Sequence, residues 1–95
     1  MMPGRLDVLI IGGFGHVGLP LGIVLADSGL QVGLYDIDSS RRELIESGQM
    51  PFLEYDAEPI LERVIGKTLR IADSLKAAQD VFWVVLNSNE FILQH

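Results

Sequence analysis

The sequence predicts a doubly wound α/β fold, in which helices pack against a parallel sheet. Two apolar segments of strand length, residues 6–11 and 81–86, are rich in β-branched residues, as expected of strands buried on both faces. Between them, segments with helical and strand-like apolar spacing alternate. Such alternation requires right-handed crossovers between parallel strands. We therefore expect a partial sheet of about four strands with helices on both faces.

The first half of the chain supplies two helices and a second strand. After the first strand, apolar residues recur at helical spacing over residues 15–28. A short strand follows at residues 31–35. Ser40 and Glu43 fit a capping box, in which each side chain accepts a backbone amide of the other, and Gly48 is placed to end this second helix. These elements form a strand-helix-strand-helix unit.

The second half of the chain continues the alternation with shorter elements. Pro59 suits the first turn of a helix over residues 59–65, because its missing amide has no partner at that position anyway. A brief strand is predicted at residues 69–71, followed by a helical turn through 73–78 that Asp73 or Ser74 caps. The strand at residues 81–86 completes the predicted order of strands and helices.

Composition indicates one small globular domain, comprising residues 1–95. Apolar residues make up 48% of the chain and charged residues 21%, which is too apolar for a disordered chain and too interrupted for a membrane span. The net charge of −6 would repel nucleic acid and anionic membranes, so we expect neither as a partner. The absence of cysteine and of a secretory signal makes the cytoplasm the expected compartment.

A glycine-rich segment follows the first predicted strand and leads into the first predicted helix. Its sequence, GFGHVG at residues 13–18, has the spacing G-x-G-x-x-G, which is informative because of this strand-to-helix setting. We expect Gly13 to permit a tight turn, Gly15 to let a pyrophosphate approach, and Gly18 to let the helix pack closely on the sheet. Free amides at the helix start would bind the phosphates. The segment predicts a Rossmann-like dinucleotide site.

An acidic residue stands where such a site requires one. Asp36 follows Gly18 by eighteen residues, at the end of the second predicted strand, where a carboxylate accepts the hydroxyls of an adenosine ribose. The same charge would repel a 2′-phosphate, so the predicted cofactor is NAD. Taken singly, the glycines also fit an ordinary turn and Asp36 a helix cap; together they favour the dinucleotide site. Asp36 and Asp38 without further ligands do not predict a metal site.

Four other residues have both a functional and a structural interpretation. Arg41 and Arg42 fit either a clamp for the 2′-phosphate of NADP, against which the acid at Asp36 argues, or a solvated helix face; the two remain balanced for Arg41, and for Arg42 we favour the solvated face. His16 is placed to touch a pyrophosphate, but a histidine in a first helical turn is more often exposed and structural. Trp83 lies inside an apolar strand, so we expect it in the core rather than stacked on an adenine.

The chain resembles a known family in two longer segments. These are GGFGHVGLPLGIVLADSGLQVGLYDID at residues 12–38 and LIESGQMPFLE at residues 44–54. They are similar to the N-terminal domain of the nucleotide-sugar 6-dehydrogenases, the UDP-glucose and UDP-N-acetylmannosamine dehydrogenase group. The match runs over residues 8–54 and resumes at 69–74 and 80–88. Its specific parts are VGLPL, DID and SG-x-x-PF-x-E, since many dehydrogenases share the glycine motif.

The resemblance implies a role for each matching residue. The glycine loop would carry the NAD pyrophosphate, Asp36 in the DID segment the adenosine ribose, and Arg41 the adenosine end. Ser88 keeps a hydroxyl where the family usually has the threonine of V-P-T-P, although both prolines are replaced. The candidate cofactor-binding residues are Gly13, Phe14, Gly15, His16, Val17, Gly18, Asp36, Ile37, Arg41 and Ser88.

The resemblance also implies chemistry that this chain does not hold. In family members, a cysteine nucleophile, a general-base lysine and a sugar-nucleotide domain lie beyond the length of this chain. Here there is no cysteine, and the only lysines are Lys67 and Lys76. We expect no catalytic residue within residues 1–95. The chain is expected to be the NAD-binding portion of a longer enzyme that oxidises a sugar C6 alcohol to a carboxylate, without activity alone.

Two other functions are compatible with the same motif. One is the NAD-binding domain of another dehydrogenase, of the 3-hydroxyacid or 6-phosphogluconate type. The other is a non-catalytic nucleotide-sensing module, similar to the NAD-binding regulatory domains of potassium channels. In all three cases, a complete sheet would order six strands as 3-2-1-4-5-6. We therefore expect residues 81–86 to form an exposed edge, through which the chain self-associates.

Overall fold

The structure is a computed structural model that describes residues 6–75, 82–86 and 91–94. One sheet contains five strands: β1 (Val8–Ile11), β2 (Val32–Tyr35), β3 (Leu69–Ile71), β4 (Phe82–Leu86) and β5 (Phe91–Gln94). Their order across the sheet is β3-β2-β1-β4-β5. The first four strands pair in parallel, and β5 is antiparallel to β4. The predicted α/β, Rossmann-like architecture is confirmed, with β1 at its centre.

The fifth strand corrects the expectation that residues 81–86 form an exposed edge. Trp83 pairs with Gln94 and Leu86 with Phe91, so β5 covers the side of β4 that faces away from β1. An antiparallel partner needs only a short connection, whereas a parallel fifth strand would need a long crossover. The edge prediction is wrong, and self-association through that edge loses its structural basis.

The helices follow the predicted order; the first two are shorter than predicted, and the third begins two residues earlier and ends one residue earlier. They are α1 (Gly18–Asp27), α2 (Arg42–Glu46) and α3 (Ala57–Val64), and a 3₁₀ turn at Ser39–Arg41 precedes α2. Residues 76–78 of the helical turn predicted through residues 73–78 lie outside the described residues. Among the helices that the structure describes, none has both the length and the apolar character that a membrane crossing requires.

The start of the second helical segment differs from the predicted capping box. Asp38, rather than Ser40, is the N-cap residue, and its carboxylate accepts the backbone amide of Ser40 at 3.0 Å. Because that backbone hydrogen bond favours the ionised carboxylate, it lowers the pKa of Asp38. Asp38 caps the segment because it stands two residues before the amide that its carboxylate accepts, which is the spacing of an Asx turn.

The core lies between one face of the sheet and the three α-helices. Alternate residues of the strands, such as Ile10 and Leu34, point into it, because successive side chains of a strand face opposite sides. Each fully buried side chain of this kind stabilises the fold by about 1.5–3 kcal/mol. Its fully buried members include Ile10, Leu19, Ile23, Val32, Leu34, Ile45, Leu61 and Leu69. This packing fixes α1 with its first turn beside the end of β1.

Candidate functional site

A cleft of about 580 Å³ opens where β1 and β2 end. Ile11 and Tyr35, the last residues of these strands, line it together with the loop that leads into α1. Open α/β sheets bind their ligands at the carboxyl ends of the strands, which is the position of this cleft. Eight of the ten predicted site residues line it: Phe14, Gly15, His16, Val17, Gly18, Asp36, Ile37 and Arg41. Ser88 lies outside the described residues.

The glycines of the loop have separate steric tasks. Gly12, not Gly13, takes the left-handed conformation of the turn, with φ of 86°, so the predicted role of Gly13 is wrong. Gly13 instead makes room for Leu34, whose Cβ would lie 2.9 Å from an added Cβ. At Gly18, an added Cβ would collide with the carbonyl oxygen of Gly12, so the close approach of α1 to the loop requires this glycine.

Gly15 differs from its neighbours because nothing in the fold crowds it. An added Cβ would meet only the carbonyl oxygen of Gly12, at an ordinary distance of 3.7 Å. Gly15 also lines the cleft, and its φ is not in the left-handed region. The fold therefore does not need a glycine at this position, whereas a ligand that touches the backbone does.

The first turn of α1 presents unpaired amides to the cleft. Within the described residues, the backbone amides of His16, Val17 and Gly18 have no hydrogen-bond acceptor, and no side chain caps the helix. Such amides, at the positive end of the helix dipole, form an anion site. The residues present therefore fit the pyrophosphate of a dinucleotide, which would supply the missing acceptors.

Asp36 links the end of β2 to the glycine loop. One carboxylate oxygen accepts the amide of Phe14 at 3.0 Å, and the other accepts the amide of Asp38, also at 3.0 Å. A carboxylate offers about four lone-pair positions, so two further hydrogen bonds remain possible. Asp36 is partly exposed and lines the cleft, where the two hydroxyls of a ribose would match the remaining positions.

The two adjacent arginines face different partners. Arg41 lines the cleft, and its Nη1 donates to the carbonyl oxygen of Phe14 at 3.0 Å. Arg42 pairs instead with Glu46 at 3.3 Å and with Asp73 at 2.6 Å. The hydrogen bond that the Arg42 guanidinium donates to the Asp73 carboxylate raises the pKa of Arg42. Arg41 is thus the basic residue of the cleft.

Phe14 contributes to the cleft through its backbone. Its side chain is only 3% exposed and belongs to the core, whereas its amide and carbonyl bind Asp36 and Arg41. The loop is therefore held by one acidic and one basic side chain at the same residue. The G-x-G-x-x-G pattern does not reveal this arrangement, because it specifies no residue type at this position.

An aromatic contact beside the cleft was not predicted. The ring of His16 stacks on that of Phe52, with ring centroids 4.2 Å apart and an interplanar angle of 26°. The guanidinium of Arg41 lies 5.6 Å from the centroid of the same Phe52 ring. Phe52 belongs to the PF segment of the sequence. A proline and an aromatic residue between two helices were the sequence feature that could have indicated this contact. Tyr35 was also missed, although strand ends are where ligands bind.

These features together define a class of protein. A buried strand is followed by a glycine loop, an uncapped helix start and an acidic residue at the end of the neighbouring strand. This is a dinucleotide-binding domain of the Rossmann type.

Comparison with known proteins identifies the family. Residues 7–88 match the NAD binding domain of the UDP-glucose/GDP-mannose dehydrogenase family. The chain belongs to this family, and the cofactor of the domain is NAD.

Solved structures and one curated protein are similar to this chain over limited parts of their length. The UDP-D-ManNAc dehydrogenase of Pyrococcus horikoshii is 27% identical, with a TM-score of 0.73 over 83% of this chain and 19% of that chain. A ternary complex of GDP-mannose dehydrogenase from Pseudomonas aeruginosa is 25% identical, with a TM-score of 0.78 over 90% and 20%. An uncharacterised protein of Methanocaldococcus jannaschii is 34% identical over 79% of this chain. The chain spans 8% of that protein.

Proposed function

We propose that the cleft residues bind NAD as the cofactor site of a dehydrogenase that acts on a nucleotide sugar. The observation that carries this proposal is the hydrogen bond from the Phe14 amide to Asp36, which holds the carboxylate beside the glycine loop. The two groups that a dinucleotide needs, a ribose acceptor and an anion site, thereby lie in one cleft.

Each part of the cleft suits one part of the cofactor. The unpaired amides of His16, Val17 and Gly18 suit the pyrophosphate, and Gly15 leaves the space for its approach. Asp36 suits the adenosine ribose, and the Arg41 guanidinium lies at the adenosine end. Gly13 and the buried side chain of Phe14 pack the loop against the core. Ile37 is 90% exposed at the rim of the cleft. Bound NAD supplies the hydride acceptor for oxidation of an alcohol.

Residues outside this chain are proposed to complete the reaction. The 95 residues contain no cysteine, whereas the predicted oxidation of a sugar C6 alcohol to a carboxylate passes through a cysteine adduct. We propose that residues 1–95 are the cofactor-binding portion of such an enzyme, acting in the cytoplasm on precursors of polysaccharides. Ser88 remains a predicted contact on the nicotinamide side.

Calorimetric titration of the chain with NAD⁺, NADH and NADP⁺ tests the cofactor proposal. We expect the NAD forms to bind and NADP⁺ to bind more weakly, because Asp36 would repel a 2′-phosphate. Tighter binding of NADP⁺, or no binding of NADH, would contradict the assignment.

The catalytic part of the proposal has a separate measurement. The chain is incubated with NAD⁺ and with UDP-glucose, UDP-N-acetylmannosamine or GDP-mannose, and the absorbance of any NADH formed is followed. We expect no NADH to form with this chain. Sugar-dependent formation of NADH would show that residues 1–95 already contain the catalytic groups.

A further inference from the structure

Phe52 lies behind the cleft and contacts two of the residues that line it. Its ring stacks on His16, with centroids 4.2 Å apart, and lies 5.6 Å from the guanidinium carbon of Arg41. The electron-rich face of an aromatic ring attracts a cation, and two rings pack favourably when they stack with an offset. Two side chains from separate segments, one before α1 and one before α2, thus meet at one ring.

Arg41 connects Phe52 to the glycine loop through a hydrogen bond. It donates to the carbonyl oxygen of Phe14, and the amide of Phe14 donates to Asp36. Both hydrogen bonds measure 3.0 Å. The orientation of the Arg41 side chain therefore affects the same loop residue that Asp36 holds.

The segment that carries Phe52 is bound to the third helix. Two residues earlier, the amide of Met50 donates to the carboxylate of Glu58 in α3 at 2.8 Å. The side chains of Met50 and Phe52 are partly buried and pack against the core. Leu53, by contrast, is 84% exposed. The Phe52 ring is thus held from the core side and presents its face to the cleft residues.

We propose that Phe52 is a positioning residue of the cofactor site, which orients Arg41 and His16 around the glycine loop. The proposal rests on the proposed binding of NAD in this cleft. Phe52 itself does not line the cleft, so its effect on the cofactor passes through the two side chains that it contacts. It assigns a binding role to the segment between α2 and α3, which lies outside the glycine motif.

The test compares variants that keep or remove the aromatic face. Phe52→Leu and Phe52→Met retain an apolar side chain without a ring, and Phe52→Tyr retains the ring. We expect the first two to weaken NADH binding about tenfold, about 1.4 kcal/mol, and Phe52→Tyr to stay within about twofold of the unmodified protein. Leu53→Ala, at the exposed neighbouring position, is the matched control and should bind normally. Thermal unfolding identifies any variant that does not fold, and Phe52→Met then replaces Phe52→Leu.

A second measurement does not depend on the cofactor. The ring proton resonances of His16 should carry a ring-current shift that Phe52→Tyr preserves and Phe52→Leu removes. Unchanged His16 resonances in folded Phe52→Leu would overturn the stack. Unchanged NADH affinity in that variant, or an equal loss in Phe52→Tyr, would overturn the positioning role. If the unmodified protein does not bind NADH at all, the proposed function fails instead, while the His16 resonances still report on the stack.

Discussion

The carboxylate of Asp36 accepts the backbone amide of Phe14 at 3.0 Å, across 22 positions of sequence. This hydrogen bond joins the end of β2 to the loop that follows β1, the neighbouring strand in the sheet. The acidic residue of the proposed cofactor site therefore also holds the glycine loop, where we propose that the pyrophosphate binds. Removal of Asp36 should affect both parts of the cleft together.

Asp36→Ala should weaken NADH binding by about 1–3 kcal/mol, because the ribose hydroxyls and the Phe14 amide each lose an acceptor. Calorimetry measures the affinity, and urea unfolding measures the accompanying loss of stability. Asp7→Ala is the matched control. Asp7 accepts the amide of Gln31 at 2.8 Å at the opposite end of β1 and β2, so its loss removes a similar hydrogen bond far from the cleft. Equal losses of affinity in both variants would contradict a direct role for Asp36.

Gly15→Ala should weaken NADH binding strongly and leave the fold intact. The added methyl group has room in the protein but would occupy the space through which the pyrophosphate approaches. We expect at least a tenfold loss of affinity, with stability changed by no more than about 0.5 kcal/mol. Binding is measured by calorimetry and folding by circular dichroism.

Gly18→Ala provides the contrasting result in the same loop. Its Cβ would collide with the carbonyl oxygen of Gly12, so we expect a loss of stability of about 1–3 kcal/mol, as for an overpacked site. If Gly15→Ala were the less stable of the two variants, the steric assignment of the glycines would be wrong. Normal NADH binding by Gly15→Ala would place the phosphates elsewhere.

Arg41→Ala and Arg42→Ala should have different effects on cofactor affinity. Arg41 lines the cleft and holds the Phe14 carbonyl, so its removal should weaken NADH binding by about 1.5–3 kcal/mol, as for a hydrogen bond to a charged group. Arg42 pairs with Glu46 and Asp73 on the exposed surface, and its removal should leave the affinity unchanged. Fluorescence titration with NADH compares the two. A larger effect of Arg42→Ala would reverse the assignment.

Acid should destabilise the cap formed by Asp38. The backbone hydrogen bond from Ser40 lowers the pKa of Asp38 below its ordinary value of 3.8 in the folded protein. The stabilisation is therefore complete above that value and is lost as the pH falls through the lowered pKa. Asp38→Asn keeps an N-cap acceptor but does not titrate.

Urea unfolding of the two proteins at about pH 6 and about pH 3 isolates this contribution. The unmodified protein should lose more stability than Asp38→Asn between these conditions. An identical loss in both would mean that Asp38 makes no pH-dependent contribution.

Strong local patterns made much of the fold predictable. The first strand, α1 and β2 have the apolar spacing of their type, glycines follow β1 and α1, and Asp36 follows β2, so local signals agree with the final structure. β3 has the predicted bounds, Leu69–Ile71. The glycine spacing and Asp36 also indicated the cleft, since both depend on sequence distances that the strand-helix-strand unit fixes.

The remaining features depend on contacts that local patterns do not contain. β5, at Phe91–Gln94, is antiparallel to β4, and its position depends on that pairing and not on the alternation of strands and helices that predicted the parallel strands. Gly12 and Gly13 are adjacent, and only the path of the chain decides which takes the positive φ. Phe52 contacts His16 and Arg41, which belong to two other segments of the chain, and no local pattern predicts that these three residues meet. Sequence periodicity does not predict such tertiary contacts.

The central place of β1 has a consequence for the order in which the protein folds. Val8 pairs with Val32 on one side and with Phe82 on the other, so the two edges of this strand find their partners at very different sequence separations. Closing the longer loop costs more chain entropy and slows the contact. In pulsed hydrogen exchange during refolding, amides between β1 and β2 should therefore become protected before those between β1 and β4.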